Sequence, residues 1–178
     1  MAARGQDVHG EATFASGLVA APARVLDAGC GTGRIAVRLA GLGYDVVGVD
    51  VDEAMLAVAR AEAPDLDWRV GDLATLDLGV TFELVLLAGN IVPLLEPGTL
   101  EAVAARLAAH VTADGLVACG FGLDEAHLPA GCPVTPLADF EAAMEAAGLR
   151  REQRWSGWDR APFDPDEGYV VTVHRPAG

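Results

Sequence analysis

The sequence predicts an α/β fold, a mostly parallel sheet with helices on both faces. Three observations carry this. Short apolar runs alternate with segments of helical periodicity through five strands, as parallel strands joined by crossovers require. Leu84–Leu87 is continuously apolar, the mark of a strand covered on both faces. The last two strand candidates are joined by about a dozen loop residues and no helix, which suits a hairpin with the final strand antiparallel to its neighbours. At 178 residues, 52% of them apolar, the chain is long enough to bury one core, and a single domain is expected.

Taken in order, residues 1–10 are polar and read as a mobile arm, and Ala12–Ala21, with Phe14 and Leu18 on one side, reads as a short helix ended by Pro22. Residues 1–23 form an N-terminal segment able to act as a lid, and residues 24–178 form the domain itself. The first strand, Arg24–Ala28, runs into three alternating glycines, Gly29, Gly31 and Gly33. A helix follows at once, with Ile35, Leu39 and Leu42 on one face and Gly43 as its stop. Asp45–Asp50 is a second buried strand. Asp52 can cap the next helix, which carries Met55, Val58 and Ala59 and stops before Pro64. Leu66–Val70 is the third strand, followed by Gly71-Asp72-Leu73 and an irregular stretch over 74–81. Phe82–Ala88 is the fourth strand, and Gly89-Asn90 leads into an apolar turn. The helix from about Thr99 shows Leu100, Val103, Leu107 and Val111 at helical spacing. Asp114-Gly115 reads as a turn into the fifth strand, Leu116–Phe121, and 122–136 as a long loop. Asp139–Ala147 is a helix stopped by Gly148; Arg150–Trp155 and Tyr169–His174 are the closing strands.

The totals exclude several function classes. Twenty-six acidic residues against 12 basic give a formal net charge of −14, and phosphate contacts rely on basic side chains, so no nucleic-acid partner is expected. Arg150, Arg151 and Arg154, the one dense basic group, read as the solvated face of a strand. Cys30, Cys119 and Cys132 offer neither a disulfide framework nor a paired metal spacing, and suit a reducing compartment. His110, His127 and His174 are dispersed, so no metal site is expected. The N-terminus has no signal-peptide core. The longest apolar stretch, Leu84–Leu95, is interrupted by Gly89, Asn90 and Pro93 and falls short of the ~20 residues of a membrane helix. No membrane partner and a cytoplasmic location are expected.

Chemistry is expected at the glycine turn. Glycine lets a ligand approach the backbone, and the free N–H groups of the following helix face it. The spacing G-x-G-x-G departs from the dinucleotide fingerprint, whose third glycine would fall on the bulky Arg34; this, with the final hairpin, opposes a nicotinamide oxidoreductase. Polar residues mark the carboxyl ends of the next three strands: Asp50 ends the second, Asp72 follows the third, and Ala88-Gly89-Asn90 ends the fourth, beside the point where open α/β sheets bind ligands. Together with these residues, VLDAGCGTGR at Val25–Arg34 resembles the cofactor motif of class I S-adenosylmethionine-dependent methyltransferases, a resemblance that covers nearly the whole chain.

The resemblance implies a Rossmann-like seven-stranded sheet in the order 3-2-1-4-5-7-6, with S-adenosyl-L-methionine as cofactor and S-adenosyl-L-homocysteine as product. It implies that Asp50 accepts from both ribose hydroxyls, that Val51 lies against adenine, that Asp72 accepts from the adenine amine, and that the Leu73 backbone bonds a ring nitrogen. Backbone around Gly29, Cys30, Gly31, Gly33 and Ala88-Gly89-Asn90 would receive the methionine part, with Asp27 orienting the loop or accepting from the amino group, directly or through water. Plainer roles stay open at single positions: Asp50 as a helix cap, Asp72 and Asn90 as turn formers. A methyl acceptor needs alignment and a water-free site, while a general base depends on its pKa. No catalytic residue is fixed by the sequence. Substrate-side candidates are His9, Glu11, Asn90 and Trp158, the last with Asp159 beside it. His9 could equally be a solvated arm residue, Glu11 a cap, and Trp155 and Trp158 packing residues. GNIVPLL after the fourth strand lacks the Asn/Asp-Pro-Pro-aromatic motif of methyltransferases acting on adenine or amide nitrogen, and Cys132 lies in Gly-Cys-Pro rather than the Pro-Cys of cytosine-C5 enzymes. A small-molecule methyl acceptor is expected. The alternative is a catalytically inactive cofactor-binding protein with a regulatory or structural role. The short front end leaves three arrangements open: an open site, one lidded by residues 1–23, or one closed by the second subunit of a homodimer.

Overall fold

Seven strands form one sheet in the computed structural model, which describes residues 9–178. They are Arg24–Ala28 (β1), Asp45–Asp50 (β2), Asp67–Val70 (β3), Phe82–Leu87 (β4), Val111–Gly122 (β5), Leu149–Trp155 (β6) and Tyr169–Pro176 (β7). Their order is β3-β2-β1-β4-β5-β7-β6. β1 to β5 pair in parallel, and β7 runs antiparallel to both β5 and β6. The helices are Gly10–Ser16 (α1), Arg34–Gly41 (α2), Glu53–Glu62 (α3), Ile91–Leu94 (α4), Leu100–His110 (α5) and Leu137–Ala146 (α6).

Successive strand residues point to opposite faces, so each central strand feeds two cores. Val25, Leu84, Leu86 and Ala118 pack with Phe14 of α1, Leu39 of α2 and Leu56 of α3. Leu26, Val85, Leu87 and Cys119 pack with Leu107 of α5 and Phe140 of α6. This double coverage is why Leu84–Leu87 reads as continuously apolar. Trp68 of the edge strand β3 is buried, donates from Nε1 to the Ala63 carbonyl (2.8 Å), and lays its indole where side chains at Gly33 and Gly48 would stand.

Several boundaries differ from expectation. α1 occupies Gly10–Ser16 rather than 12–21, because Gly17 ends it with its N–H on the Thr13 and Phe14 carbonyls. The part of the arm expectation that falls on residues 1–8 lies outside the described residues. In α3 the buried positions are Leu56 and Ala59, whereas Met55 and Val58 are 44% and 53% exposed. Val111 belongs to β5, not to the helix before it. It pairs with Phe82, and pairing resumes at Leu84↔Leu116, so Asp114-Gly115 lies in a bulge within one long strand instead of a turn before it. The apolar turn after Asn90 is the single-turn helix α4, with Pro93 inside it, and α6 starts at Leu137. A 3₁₀ turn, Glu125–His127, interrupts the loop after β5. The β6 arginines face acids: Arg151 and Arg154 reach Glu141 (3.0 and 3.3 Å), and Arg150 reaches Glu152 (3.4 Å). Among the described residues no helix is long and apolar enough to cross a membrane.

Candidate functional site

The carboxyl ends of β1, β2, β3 and β4 open onto one side of the sheet, and the glycine turn lies across them. Its first residues hang on β2: the Gly29 and Cys30 N–H groups both donate to the Val49 carbonyl (2.8 and 2.9 Å). A side chain at Gly29 would collide with Ile91, and one at Gly33 with Trp68 and Ala59. Gly31 is different. Its φ is +55°, its N–H donates to Asp50 Oδ2 (2.7 Å), and a Cβ there would meet nothing within 4 Å. Gly89, at φ +74°, likewise opens onto free space. No protein packing needs these two positions bare, so their exposed backbone is what a ligand can approach.

Around this opening stand three carboxylates. Asp50 also accepts the Asp52 N–H at Oδ1 (2.9 Å), so it shapes the turn, and each oxygen keeps further acceptor capacity. Capping of α3 falls to Asp52, which accepts from the Ala54 and Met55 N–H groups (2.9 and 3.3 Å). Val51, Met55 and Val70 are exposed apolar side chains near Asp50. Asp72 turns the chain through an Oδ1 contact with the Ala74 N–H (2.8 Å). Leu73 beside it is buried, and its N–H has no partner among the described residues. Asp27 is 2% exposed, and its Oδ2 has no hydrogen-bond partner among the described residues. Burial pushes its carboxyl up to about 7, against the opposing pull of the Ala36 N–H and the Arg34 cation. The Cys30 thiol is pushed up by burial and by the charges of Asp27 and Asp50, so it stays protonated and unreactive.

The substrate-side candidates are dispersed in role. Glu11 meets Arg34 in a two-pronged ion pair (2.8 and 3.3 Å) that ties α1 to the first residue of α2; it makes no cap. His9 sits at the start of α1, its carbonyl accepting from the Thr13 N–H (2.9 Å). Trp158 packs edge-on to Phe14 (5.2 Å between ring centres), fills the space beside Gly120 and donates to the Tyr169 hydroxyl (3.2 Å). Trp155 packs edge-on to the same Phe14 (5.4 Å), and Asp159 accepts the Ala161 N–H (3.2 Å). Asn90 is left-handed (φ +62°), and its amide is spent within the fold: Oδ1 accepts the Gly122 N–H (2.7 Å) and Nδ2 donates to the His127 carbonyl (3.1 Å). With Ala88 buried behind it, what Asn90 offers a ligand is backbone.

Arg34, Tyr169, Asp124 and His127 do not stand out in the sequence as site residues. Tyr169 begins β7 opposite Gly122, and burial pushes its hydroxyl up to about 12. Asp124 and His127 hydrogen-bond each other in the 3₁₀ turn after β5 (2.7 Å); the spacing D-x-x-H was the available signal. Among the described residues no three side chains are grouped to hold a metal ion.

The sequence family described as a methyltransferase domain matches residues 25–115. The chain is 36% identical to dTDP-3-amino-3,6-dideoxy-alpha-D-glucopyranose N,N-dimethyltransferase of Streptomyces fradiae, over 96% of this chain and 73% of that protein. It superposes on a TehB-like S-adenosylmethionine-dependent methyltransferase from Corynebacterium glutamicum with a TM-score of 0.87 and 34% identity, covering 97% and 90% of the two chains. The CcbJ methyltransferase of Streptomyces caelestis shares the fold at a TM-score of 0.83 and 24% identity, over 97% and 90%.

Proposed function

The chain belongs to the class I S-adenosylmethionine-dependent methyltransferases, and from that premise we propose that it methylates a small molecule bound over the carboxyl ends of β4 and β5. The observation that carries the cofactor assignment onto particular residues is Gly31, held by Asp50 yet bare toward open space, beside a buried Asp27 whose Oδ2 has no partner among the described residues. S-adenosylmethionine supplies a methyl group already activated by its sulfonium. The chain supplies binding and orientation. In this reading Asp50 accepts from the ribose, Val51 packs on adenine, and Asp72 and the Leu73 N–H bond its edge. Asp27 accepts from the methionine ammonium, filling an acceptor position that burial otherwise leaves costly. Backbone at Gly29, Cys30, Gly31, Gly33, Ala88, Gly89 and Asn90 forms the cradle.

The acceptor class rests on the Streptomyces fradiae relative, named for a nucleotide-linked amino sugar, and on the acidic balance of this chain, which disfavours polyanions. α1 serves as the lid in this reading, because the Glu11–Arg34 pair and the Phe14–Trp158 contact hold it beside the glycine turn. A second subunit is then not needed to close the site. The free thiols Cys30, Cys119 and Cys132 fit a cytoplasmic setting. The test is calorimetric titration with S-adenosylmethionine, S-adenosylhomocysteine and NAD in parallel. One-to-one binding of the first two and none of NAD is expected, followed by labelled-methyl transfer to members of an amino-sugar nucleotide and phenol panel. Absence of binding to both methionine derivatives would refute the assignment.

A further inference from the structure

At the end of β5 the chain turns back through Asp124 and His127. One carboxylate oxygen, Asp124 Oδ1, accepts both the His127 N–H (3.1 Å) and the His127 ring Nδ1 (2.7 Å). An ionised carboxylate cannot donate, so this contact fixes the proton of the neutral imidazole on Nδ1 and leaves Nε2 as its acceptor nitrogen. An i,i+3 contact of this kind can be a local cap and nothing more, but here three other segments are built around it. Gly122 of β5 is bare where a Cβ would fall 2.5 Å from the His127 carbonyl. Gly168, left-handed at φ +71°, is bare where a Cβ would fall 2.6 Å from the imidazole Cε1 and press on the Asp124 carboxylate. Asn90, which follows Gly89 after β4 and precedes α4, grips the His127 carbonyl from the third side. The imidazole remains 43% exposed.

We propose that His127, oriented by Asp124, is the proton acceptor of the methyl-transfer reaction, and that the natural acceptor is an amine or hydroxyl compound that must lose a proton. This rests on the methyltransferase reading above. The acceptor nitrogen or oxygen forms its new bond to the methyl carbon as the carbon–sulfur bond breaks and that electron pair returns to sulfur. The acceptor's proton passes to His127 Nε2, the imidazolium is balanced by Asp124, and the exposed ring then returns the proton to water. An acceptor that reacts as a ready anion would have no use for this pair. Asp124 contacts the ring, and the other titratable groups on the elements packed around it are Glu125 on its own turn and Asp164, Asp166 and Glu167 at the 3₁₀ turn ahead of Gly168; Asn90 and α4 bring none. Tyr169, next in sequence to Gly168, engages Trp158 through its hydroxyl.

The experiment needs no acceptor. The chain has four histidines, so the His127 ring signal can be followed by NMR through a pH titration of the wild-type protein, saturated first with S-adenosylhomocysteine and then with S-adenosylmethionine. The two ligands differ by one methyl and one positive charge. A ring beside the transferring methyl titrates at lower pH, by about half a unit or more, when that charge is present. Asp124→Asn, which keeps the turn cap, lowers the midpoint further in both complexes and leaves S-adenosylhomocysteine affinity within about twofold. Equal midpoints in two saturated complexes would overturn the proton-acceptor role while leaving the methyltransferase reading intact. Failure of both ligands to bind would instead overturn that reading, and this proposal with it.

Discussion

Replacing Asp27 by asparagine tests the buried carboxyl directly. Asparagine has the same shape and no charge, and Asp27 is enclosed between the glycine turn and α2. In the folded protein burial raises its carboxyl from the ordinary 3.8 to about 7. The fold therefore prefers the neutral acid. The stability contributed by that preference is fully present below about pH 4, is lost as pH rises toward 7, and is absent above it. A rise of about three units corresponds to about 4 kcal/mol at 1.36 kcal/mol per unit. The asparagine side chain does not ionise, so the stability of Asp27→Asn relative to wild type should climb by up to about 4 kcal/mol between pH 4 and pH 8. Urea unfolding at pH 4.5, 6 and 8 measures this, and titrations elsewhere in the chain cancel in the difference. Parallel stability curves would refute the account of a carboxyl strained by burial. The same residue makes a second expectation. A ligand ammonium at Oδ2 favours the charged carboxylate, so S-adenosylmethionine binding near pH 6 should release a proton, read as a dependence of binding enthalpy on the buffer's ionisation heat; Asp27→Asn should lose both that release and much of the affinity.

The other expectations concern single residues. Gly31→Ala should cost about 1–2 kcal/mol of stability for its left-handed backbone yet largely abolish cofactor binding, whereas Gly33→Ala should cost about 1–3 kcal/mol more through collision with Trp68 and Ala59. Urea midpoints and calorimetry on both variants separate the two, and equal losses of stability would contradict the distinction. Asp50→Ala should weaken S-adenosylhomocysteine by about 10–100-fold, the worth of charge-assisted ribose contacts, and unchanged affinity would count against that role. His174 is buried with neither ring nitrogen partnered among the described residues, and burial, with Arg151 adding, lowers its imidazole to about 4. Stability tied to its neutral form is present above about pH 6.5 and is lost as pH falls through about 4. His174→Leu should therefore be about 1–3 kcal/mol more stable at pH 7 and lose less on acidification, as thermal unfolding at pH 7 and 4.5 would register.

The architecture was legible because the punctuation of the chain is strong. Gly29 ends β1 where the apolar run stops, Asp52 starts α3, and Leu84–Leu87 announces a strand with a core on either side. The misreadings have physical causes. Pro22 drew the end of α1 too late, since Gly17 already breaks the helix. Asp114-Gly115 has turn composition, and only the partner strand β4 shows that the chain continues through it as a bulge. Met55 and Val58 keep helical spacing with Ala59, but an exposed apolar side chain looks the same in sequence as one in the core. Asp50 and Asp72 stood out by position alone, at strand ends. The amide of Asn90 and Tyr169 did not, because their partners are fixed by pairings such as Gly122↔Tyr169 between residues far apart in the chain, and the local Asp124–His127 pair gains its setting only from Gly122, Gly168 and Asn90 packed around it.

Trp68 joins two parts of the molecule with unequal security. It sits on β3, which has a neighbour on one side only, and its indole is the wedge that keeps Gly33 and Gly48 in their places. The glycine turn is thus propped from an edge strand. Any peeling of that strand withdraws the prop, so the turn's shape depends on the intactness of the sheet margin. The dependence works in both directions: a ligand that fixes the turn also clamps the wedge. Slowed amide exchange along Asp67–Val70 and a change in indole emission should then accompany cofactor binding.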